Sequence, residues 1–348
     1  MKHIFHPGIF SALSAALLFG IATPLAKFLL ETTNPWMLAG LLYLGSGLGL
    51  FIYRQVIKAP SVLLPPEERL WFSGAVLSGG IVAPVLLMAG LSGMSAADVS
   101  LMLNAEGVFT TLLAWFVFKE NFDRRIVLGM AAIVAGALVL SWPDEVRLAA
   151  AWPSLAVLGA CLAWGIDNNL TRKVSLTDAS WIASVKGLVS GTVNVCLAFV
   201  LGSGMPALAG VGGALLLGLI SYGISLVLFV VGLRHLGTAR TGAYFSVAPF
   251  FGAVLAVLLG DAVTLPLLLA GVLMALGVWL HLSERHVHPH SHEALVHEHK
   301  HAHDEHHQHA HDFPVAPGTS HSHPHRHEPL THSHPHYPDA HHRHKHQD

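Results

Sequence analysis

Apolar residues fill most of residues 8–282 in long runs that short polar segments interrupt. A hydrocarbon core about 30 Å thick needs about 20 mostly apolar residues for each spanning helix. By this measure the pattern predicts ten transmembrane helices, so the fold class is an all-α integral membrane protein. The predicted bounds are 8–30, 36–57, 70–91, 97–118, 126–142, 154–171, 180–201, 208–233, 239–259 and 265–282. The first run is long enough to span and similar runs follow it, so we interpret it as a helix and not as a signal peptide.

Lysine and arginine residues concentrate at the N-terminus, in every second loop and after the last span. They are Lys2, Arg54, Lys58, Arg69, Lys119, Arg124, Arg125, Arg172, Lys173, Arg234, Arg240 and Arg285. The alternate loops, 31–35, 92–96, 143–153, 202–207 and 260–264, carry one basic residue, Arg147, and Lys27 near the end of span one is the exception. Because basic loops stay in the cytoplasm, we expect a multi-pass protein of the cytoplasmic (inner) membrane with both termini in the cytoplasm.

The two halves of the chain resemble each other. The segment ALLFGIATPLAK (16–27) aligns with CLAWGIDNNLTR (161–172), which pairs Lys27 with Arg172. Span four aligns with span nine, and the spans that follow share a glycine pattern. Five spans in each copy make the second copy cross the membrane in the opposite sense. The pattern therefore predicts two inverted five-helix repeats, residues 1–142 and 151–283, with a binding site near the membrane midplane.

Three features together resemble a known family: the two-times-five layout, the FGI and WGI pairing, and the run EGVFTTLLAWFVFKE at 106–120. They are similar to the EamA type of the drug/metabolite transporter (DMT) superfamily. That family usually has a proline after the first acidic position of the run; Pro249 keeps it in the second copy, and Gly107 replaces it in the first. The resemblance covers roughly residues 8–283. It implies an alternating-access carrier with a central cavity that exports a small metabolite, amino acid or drug.

Composition agrees with a membrane protein. Hydrophobic residues make up 53% of the chain and charged residues 11%, against about 25% charged residues in soluble domains. The two cysteines lie in apolar segments and do not indicate a disulfide scaffold. The sequence contains no phosphate-binding loop, nucleophile elbow or dinucleotide fingerprint. We therefore expect no enzyme activity, no required cofactor and no nucleic-acid partner, in a monomer or homodimer.

Span four contains polar residues that are costly in lipid. Asp98, Met102 and Glu106 follow the helical spacing i, i+4, i+8, and Asn104 lies on a flank of that face. A carboxylate in hydrocarbon costs about 3 kcal/mol or more, so it should face a bundle interior or a wet cavity. We predict that this face binds the substrate or exchanges a proton. The alternatives are that Asp98 caps the start of the helix and that Glu106 pairs with a neighbour for packing.

Other predicted spans also contain polar residues that are candidates for the substrate path. They are Asp167, Asn168, Asn169, Lys186, Asn194, Ser221, Tyr222, Tyr244 and Ser246. The first three lie together in span six, where the alternative is that they mark the end of the helix. The others would otherwise bond a neighbouring helix. The glycine pairs Gly45–Gly49 and Gly187–Gly191 predict close helix contacts.

Histidine sets the C-terminal segment apart. Only His3, His6, His235 and His281 of the 27 histidines precede His286. We predict that residues 284–348 form a disordered cytoplasmic tail that binds Ni²⁺, Zn²⁺ or Co²⁺ through neutral imidazoles. The proposed ligands are His286, His288, His290, His292, His297, His299, His301, His303, His306, His307, His309 and His311.

The tail leaves two competing hypotheses open beside the carrier of small organic solutes. The first is a transporter of divalent transition metals whose tail collects cytoplasmic ions. The second is a metal-buffering membrane protein that transports nothing. Deletion of the tail at Ser283 separates these hypotheses, because transport that survives the deletion makes the tail accessory.

Overall fold

The computed structural model describes residues 7–118, 124–141, 148–174, 177–236, 244–282, 287–292, 295–301, 321–327 and 330–335. The chain forms two compact units, Met1–Glu284 and Arg285–Asp348. The first unit is helical over the described residues. Its helices are α1 (Pro7–Gly20), α2 (Ala22–Leu30), α3 (Pro35–Val56), α4 (Pro66–Ala75), α5 (Ala83–Ser92), α6 (Ala96–Met102), α7 (Ala105–Phe118), α8 (Arg124–Ser141), α9 (Leu148–Lys173), α10 (Ala179–Val200), α11 (Leu208–Gly218), α12 (Ser225–Leu236), α13 (Ala248–Leu258) and α14 (Leu265–Leu282).

Several of these segments have the length and apolar composition of membrane spans. Five are long enough: Gly8–Leu30, Pro35–Val56, Pro66–Ser92, Ala179–Val200 and Leu208–Phe229. Shorter apolar helices are Val127–Leu140, Ala248–Leu258 and Leu265–Leu280. The prediction of a helical multi-pass membrane protein is therefore confirmed, whereas the count of ten spans stays a prediction.

Two long helical segments contain a π-helical stretch near their centres. The π-helical segment Val76–Val82 joins α4 to α5, and a second, Leu219–Ile224, joins α11 to α12. They lie in span three and span eight, which are equivalent positions in the two repeats. A π-helical turn widens the backbone and often marks a functional site.

Span four, predicted as one helix, is interrupted at Leu103 and Asn104, between α6 and α7. The Asn104 amide donates to the Leu101 carbonyl at 2.9 Å, and such a local side-chain bond competes with regular helix. The prediction that one helical face runs continuously from Asp98 to Glu106 is therefore wrong.

The central helices of the two repeats pack directly on each other in opposite directions. A Cβ on Gly40 of α3 would lie 2.7 Å from Val195 of α10, and a Cβ on Gly187 would lie 2.6 Å from the Gly47 nitrogen. A later residue of α3 contacts an earlier residue of α10, so the two helices are antiparallel. The predicted close contact at Gly187 is confirmed.

Helices α8 and α14, which are equivalent in the two repeats, also pack in opposite directions. A Cβ on Gly136 would lie 2.8 Å from Met274, and a Cβ on Gly277 would lie 2.6 Å from Ile133. Small residues thus let both pairs of equivalent helices approach closely, as is common between membrane helices.

Predicted external loops meet at one end of the helical unit, here called the Lys27 end. Lys27 contacts the carbonyls of Leu91 and Met94, and the Asp261 carboxylate accepts from the Ala97 nitrogen at 2.8 Å. Loops 31–35, 92–96 and 260–264 adjoin these residues. All three are predicted to lie on the same side of the membrane.

The opposite end, here called the Arg54 end, joins two loops that are rich in basic residues. Arg54, in the last turn of α3, pairs with Asp178 at 3.0 Å. Asp178 also caps α10 by accepting from the Ser180 and Trp181 nitrogens at 2.8 and 3.1 Å. Burial raises the pKa of Asp178, but these hydrogen bonds and the Arg54 charge outweigh it, so the pKa lies below its usual value.

The described residues of the second unit form four short strands. The prediction that residues 284–348 are disordered stays a prediction. β1 (Val287–His292) pairs antiparallel with β4 (Leu330–Pro335), and β2 (Leu295–His301) pairs antiparallel with β3 (His321–His327). Their alternation of histidine with other residues has a period of two, which suits an extended strand.

Candidate functional site

A hydrogen bond joins the two repeats at Glu106. Glu106 lies in the first turn of α7, directly after the break in span four. Asn168, on α9, donates to the Glu106 Oε1 at 2.8 Å and to the Thr110 hydroxyl at 3.2 Å. The structure thus brings together two residues that the sequence marked separately, one from each repeat.

The residue before Asn168 forms a buried ion pair. Lys186 of α10 donates to Asp167 Oδ2, and the side chains are 13% and 6% exposed. The Thr171 hydroxyl donates to the other carboxylate oxygen at 2.9 Å. Both predicted residues therefore lie in the bundle interior. A buried charge requires an opposite charge and hydrogen bonds, and both are present here.

Asn169 points away from this pair. Its amide donates to the Thr110 carbonyl at 3.1 Å and to the Gly165 carbonyl at 2.9 Å. The side chain is buried, and it fastens α9 to α7. This is a packing role.

The first π-helical segment supplies backbone carbonyls to the site. The Gly79 carbonyl accepts from the Tyr43 hydroxyl at 2.7 Å and from the Trp164 indole at 3.0 Å. Asn194 donates to the Gly80 and Ile81 carbonyls at 3.2 and 3.4 Å. Asp167 lies so close to Gly79 that no side chain fits there. The wide turn thus fixes the side chains that surround the ion pair.

Aromatic rings form a continuous cluster beside these groups, here called the ring cluster. Its members are Phe19, Tyr43, Trp164, Tyr222 and Phe245. The centroid of Phe19 lies 5.7 Å from that of Tyr222 and 5.4 Å from that of Phe245. Glu106 is within electrostatic range of the Tyr43 and Tyr222 hydroxyls. Of these rings, the sequence marked only Tyr222 as a candidate for the substrate path; for Phe19 and Trp164 the available signal was their alignment in the repeat.

The other predicted residues of span four lie apart from this centre. The Ser95 hydroxyl donates to the Asp98 carboxylate at 2.7 Å and accepts from the Asp98 nitrogen at 3.0 Å, so Ser95, and not Asp98, caps the start of α6. Met102 is fully buried in the apolar core. Asn104 bonds its own helix and contacts the Met274 sulfur at 3.9 Å.

Tyr244 begins a described segment and is half-buried. The proposed tail ligands His286, His303, His306, His307, His309 and His311 lie outside the described residues. The other six proposed ligands lie in β1 and β2, where the backbone alone is described. Among the side chains that the structure describes, no group of three or more His, Cys, Asp or Glu is placed to hold a metal ion.

Known proteins resemble both halves of the chain. The sequence matches the EamA-like transporter family over residues 6–142 and 151–283, one match for each repeat. It is 27% identical over 293 residues to an uncharacterized transporter of Methanothermobacter thermautotrophicus, covering 78% of this chain and 85% of that protein. It is 30% identical over 166 residues to a probable amino-acid metabolite efflux pump of Salmonella typhimurium, covering 47% and 53%.

A shorter relative and a solved structure also resemble this chain. The chain is 35% identical over 102 residues to ArnE of Pseudomonas fluorescens, a probable 4-amino-4-deoxy-L-arabinose-phosphoundecaprenol flippase subunit, covering 29% of this chain and 89% of ArnE. One crystal structure shares the fold with a TM-score of 0.62 at 18% identity, covering 78% of this chain and 94% of that one.

The family and the relatives indicate a membrane transporter and not an enzyme. The family match extends over both repeats and most of the chain. The resemblance inferred from the sequence is confirmed: this chain belongs to the EamA-like transporter family of the DMT superfamily.

Proposed function

We propose that this protein is a secondary-active exporter that moves a small organic solute across the cytoplasmic membrane by alternating access. Glu106 is the residue at which the solute and a proton exchange. The observation that carries the proposal is the hydrogen bond from Asn168 to Glu106 at 2.8 Å. It joins the two repeats at a carboxylate within an apolar helix, where a charge is costly and therefore indicates a functional site.

The packing of the helices supports ten spans in two inverted repeats. Equivalent helices pack antiparallel, as the Gly47–Gly187 contact shows for α3 and α10. In addition, α1 packs against α12 and α5 packs against α9. Helices α1 and α12 belong to spans one and eight, whose equivalents in the other repeat are spans six and three. These contain α9 and α5, so the two contacts are related by the symmetry of the repeats. Such symmetry is typical of carriers whose halves rock around a central site.

Differences between the two ends support one state of an alternating cycle. Lys27 and Asp261 fasten the Lys27 end through hydrogen bonds. Asn168 is exposed, and a Cβ on Gly107 would meet no atom within 4 Å. Asn168 lies in the half of α9 that leads to the Arg54 end, so the site is accessible from that side. With the predicted orientation, this is the cytoplasmic side.

The charges of the site favour a solute with a positively charged amine. Glu106 and Asp167 carry negative charge and Lys186 carries positive charge, which leaves one negative charge for the solute or a proton to balance. Aromatic faces attract cations that lie within about 6 Å of the ring, and Trp164 of the ring cluster lies one helical turn before Asn168, which donates to Glu106. We infer an amine-bearing solute with an apolar part, such as an amino acid or an amine drug. The Salmonella relative, named a probable amino-acid metabolite efflux pump, agrees with this class.

Transport of transition metals, and metal buffering without transport, gain no support from the described residues, whose side chains form no ligand group. We therefore do not prefer either hypothesis.

A growth screen followed by a flux assay tests the proposal. A strain that lacks its own efflux pumps and overproduces the protein is challenged with amino acids, amine drugs and metals. Resistance to an amine solute supports the proposal when proteoliposomes then move that solute in response to a proton gradient. Resistance to metals alone, or flux that ignores the gradient, would contradict it.

A further inference from the structure

Lys27 links the ends of two helices of the first repeat. It lies in the last turn of α2. Its ammonium group donates to the Leu91 and Met94 carbonyls at 2.6 Å each and to the Ser92 carbonyl at 3.5 Å. An ammonium group has three donors, so carbonyls of the α5–α6 connection occupy all of them.

The position of these carbonyls makes the contact strong. Helix α5 ends at Ser92, and the last carbonyls of a helix carry the negative end of its dipole, which a cation stabilises. Hydrogen bonds with a charged donor are also about twice as strong as neutral ones. The contact therefore holds α2 against the connection from span three to span four.

Further contacts at the Lys27 end join the second repeat to the first. Lys27 is attracted electrostatically by Asp261 and Glu31, and Asp261 accepts from the Ala97 nitrogen at 2.8 Å. Asp261 follows α13 in the second repeat. An opening of this end must separate α2 from the α5–α6 connection, and the Lys27 bonds must then break.

The internal repeat supplies a counterpart. Lys27 aligns with Arg172, which lies in the last turn of α9. Pro153, near the start of the same helix, contacts Gly93 at the Lys27 end. Arg172 therefore lies towards the Arg54 end. Inverted repeats place equivalent residues at opposite ends of a carrier.

We propose that Lys27 is a positioning residue of the transport cycle, which holds the Lys27 end closed and releases the carbonyls of α5 when that end opens. This inference rests on the proposed alternating access. It adds one basic residue, at the Lys27 end of the helical unit, that sets the balance between the two states.

Side-specific labelling of single cysteines tests the inference without knowledge of the solute. The background is the full chain with Cys196→Ser; Cys161 is buried, and the background without a reporter gives its own labelling rate. The outer reporter is Thr23→Cys, one helical turn before Lys27 and buried. The inner reporter is Thr111→Cys, on the Phe118 side of Glu106. Right-side-out and inside-out vesicles receive a membrane-impermeant thiol reagent.

Lys27→Met should raise the external labelling rate of the outer reporter about tenfold, equivalent to ~1.4 kcal/mol, and should lower the internal labelling rate of the inner reporter. Lys27→Arg should behave as the parent, because a guanidinium group can donate to the same carbonyls. It also shows whether a charged side chain at this position preserves folding when Lys27→Met inserts poorly.

The outcomes distinguish this inference from the proposed function. If the outer reporter is labelled in the parent but Lys27→Met leaves both rates unchanged, or raises both, the role of Lys27 is overturned and alternating access stands. If the outer reporter is never labelled from outside, in the parent or in any variant, alternating access fails and the inference fails with it.

Discussion

Asn168 of the second repeat donates a 2.8 Å hydrogen bond to the carboxylate of Glu106 in the first. Each partner is polar within a predicted span, and neither would be stable in lipid alone. The bond therefore connects the chemistry of the site with the relative position of the repeats. A change of charge at Glu106 should therefore affect the contacts of both repeats.

Glu106→Gln should reduce proton-coupled export at least tenfold, since glutamine keeps the shape and the acceptor for Asn168 but cannot exchange a proton. The protein should still insert into the membrane and elute as a single species. Glu67→Gln, the same change at an exposed residue of α4, serves as the control. Export is measured in proteoliposomes with an imposed pH gradient, and unchanged flux would remove Glu106 from the mechanism.

Lys186→Met should destabilise the protein by about 3 kcal/mol, because removal of one partner leaves the Asp167 charge buried and unpaired. The double variant Asp167→Asn with Lys186→Met should recover most of this loss, since no uncompensated charge remains. Thermal unfolding in detergent gives both values. A double variant that is no more stable than Lys186→Met would show that the pair is not coupled in this way.

The sequence predicted some parts of this arrangement and not others. Apolar runs predicted the helical membrane unit because a span needs a minimum length. Glu106, Asp167 and Asn168 were identifiable because polar groups in apolar runs are costly. Of the ring cluster only Tyr222 was identifiable, since aromatic residues are ordinary in apolar helices and only three-dimensional packing brings Phe19 and Tyr43 to it.

Only some of the breaks in the helices could be predicted from the sequence. Gly79 and Gly80 before Pro84 indicate a break in span three, where the first π-helical segment lies, but no residue pattern marks the turn at Asn104. The turn at Asn104 depends on a side-chain bond to Leu101, and the π-helical segment at Gly79 depends on contacts with Tyr43 and Trp164. Hydropathy averages over such local changes. Lys27 was noted as an exception to the charge pattern, and its contacts with the α5–α6 connection give the reason for that exception.

Gly187→Ala should destabilise the protein by about 2 kcal/mol, because overpacking at a tight contact displaces the backbone. The added Cβ would lie 2.6 Å from the Gly47 nitrogen. Gly212→Ala is the matched control, since a Cβ there would meet no atom within 4 Å and alanine favours helix. Melting temperatures of the purified variants check this. Equal melting temperatures for the two variants would contradict the close packing of α3 on α10.

Asp178→Asn should lower stability at neutral pH but not in acid. The folded-state pKa of Asp178 lies below its usual value, so the ionised group contributes stability above the unfolded pKa of about 3.9. That contribution is lost as the pH falls through the folded pKa. The difference in melting temperature between parent and variant should therefore be constant from about pH 5 to 7 and shrink below about pH 4. A difference that grows in acid would reverse the assigned direction.

Removal of residues 284–348 should abolish most binding of Ni²⁺ or Zn²⁺ while export continues. The full chain should bind these ions near pH 7 and release them below about pH 5.5, because metals bind neutral imidazoles, which protonate with a pKa of about 6.5. Titration calorimetry of the full and shortened chains at both pH values measures this. Binding that persists in the shortened chain would place the metal among residues 1–283, whereas binding that ignores pH would exclude imidazole ligands. Loss of export in the shortened chain would revive the hypothesis that the tail takes part in transport.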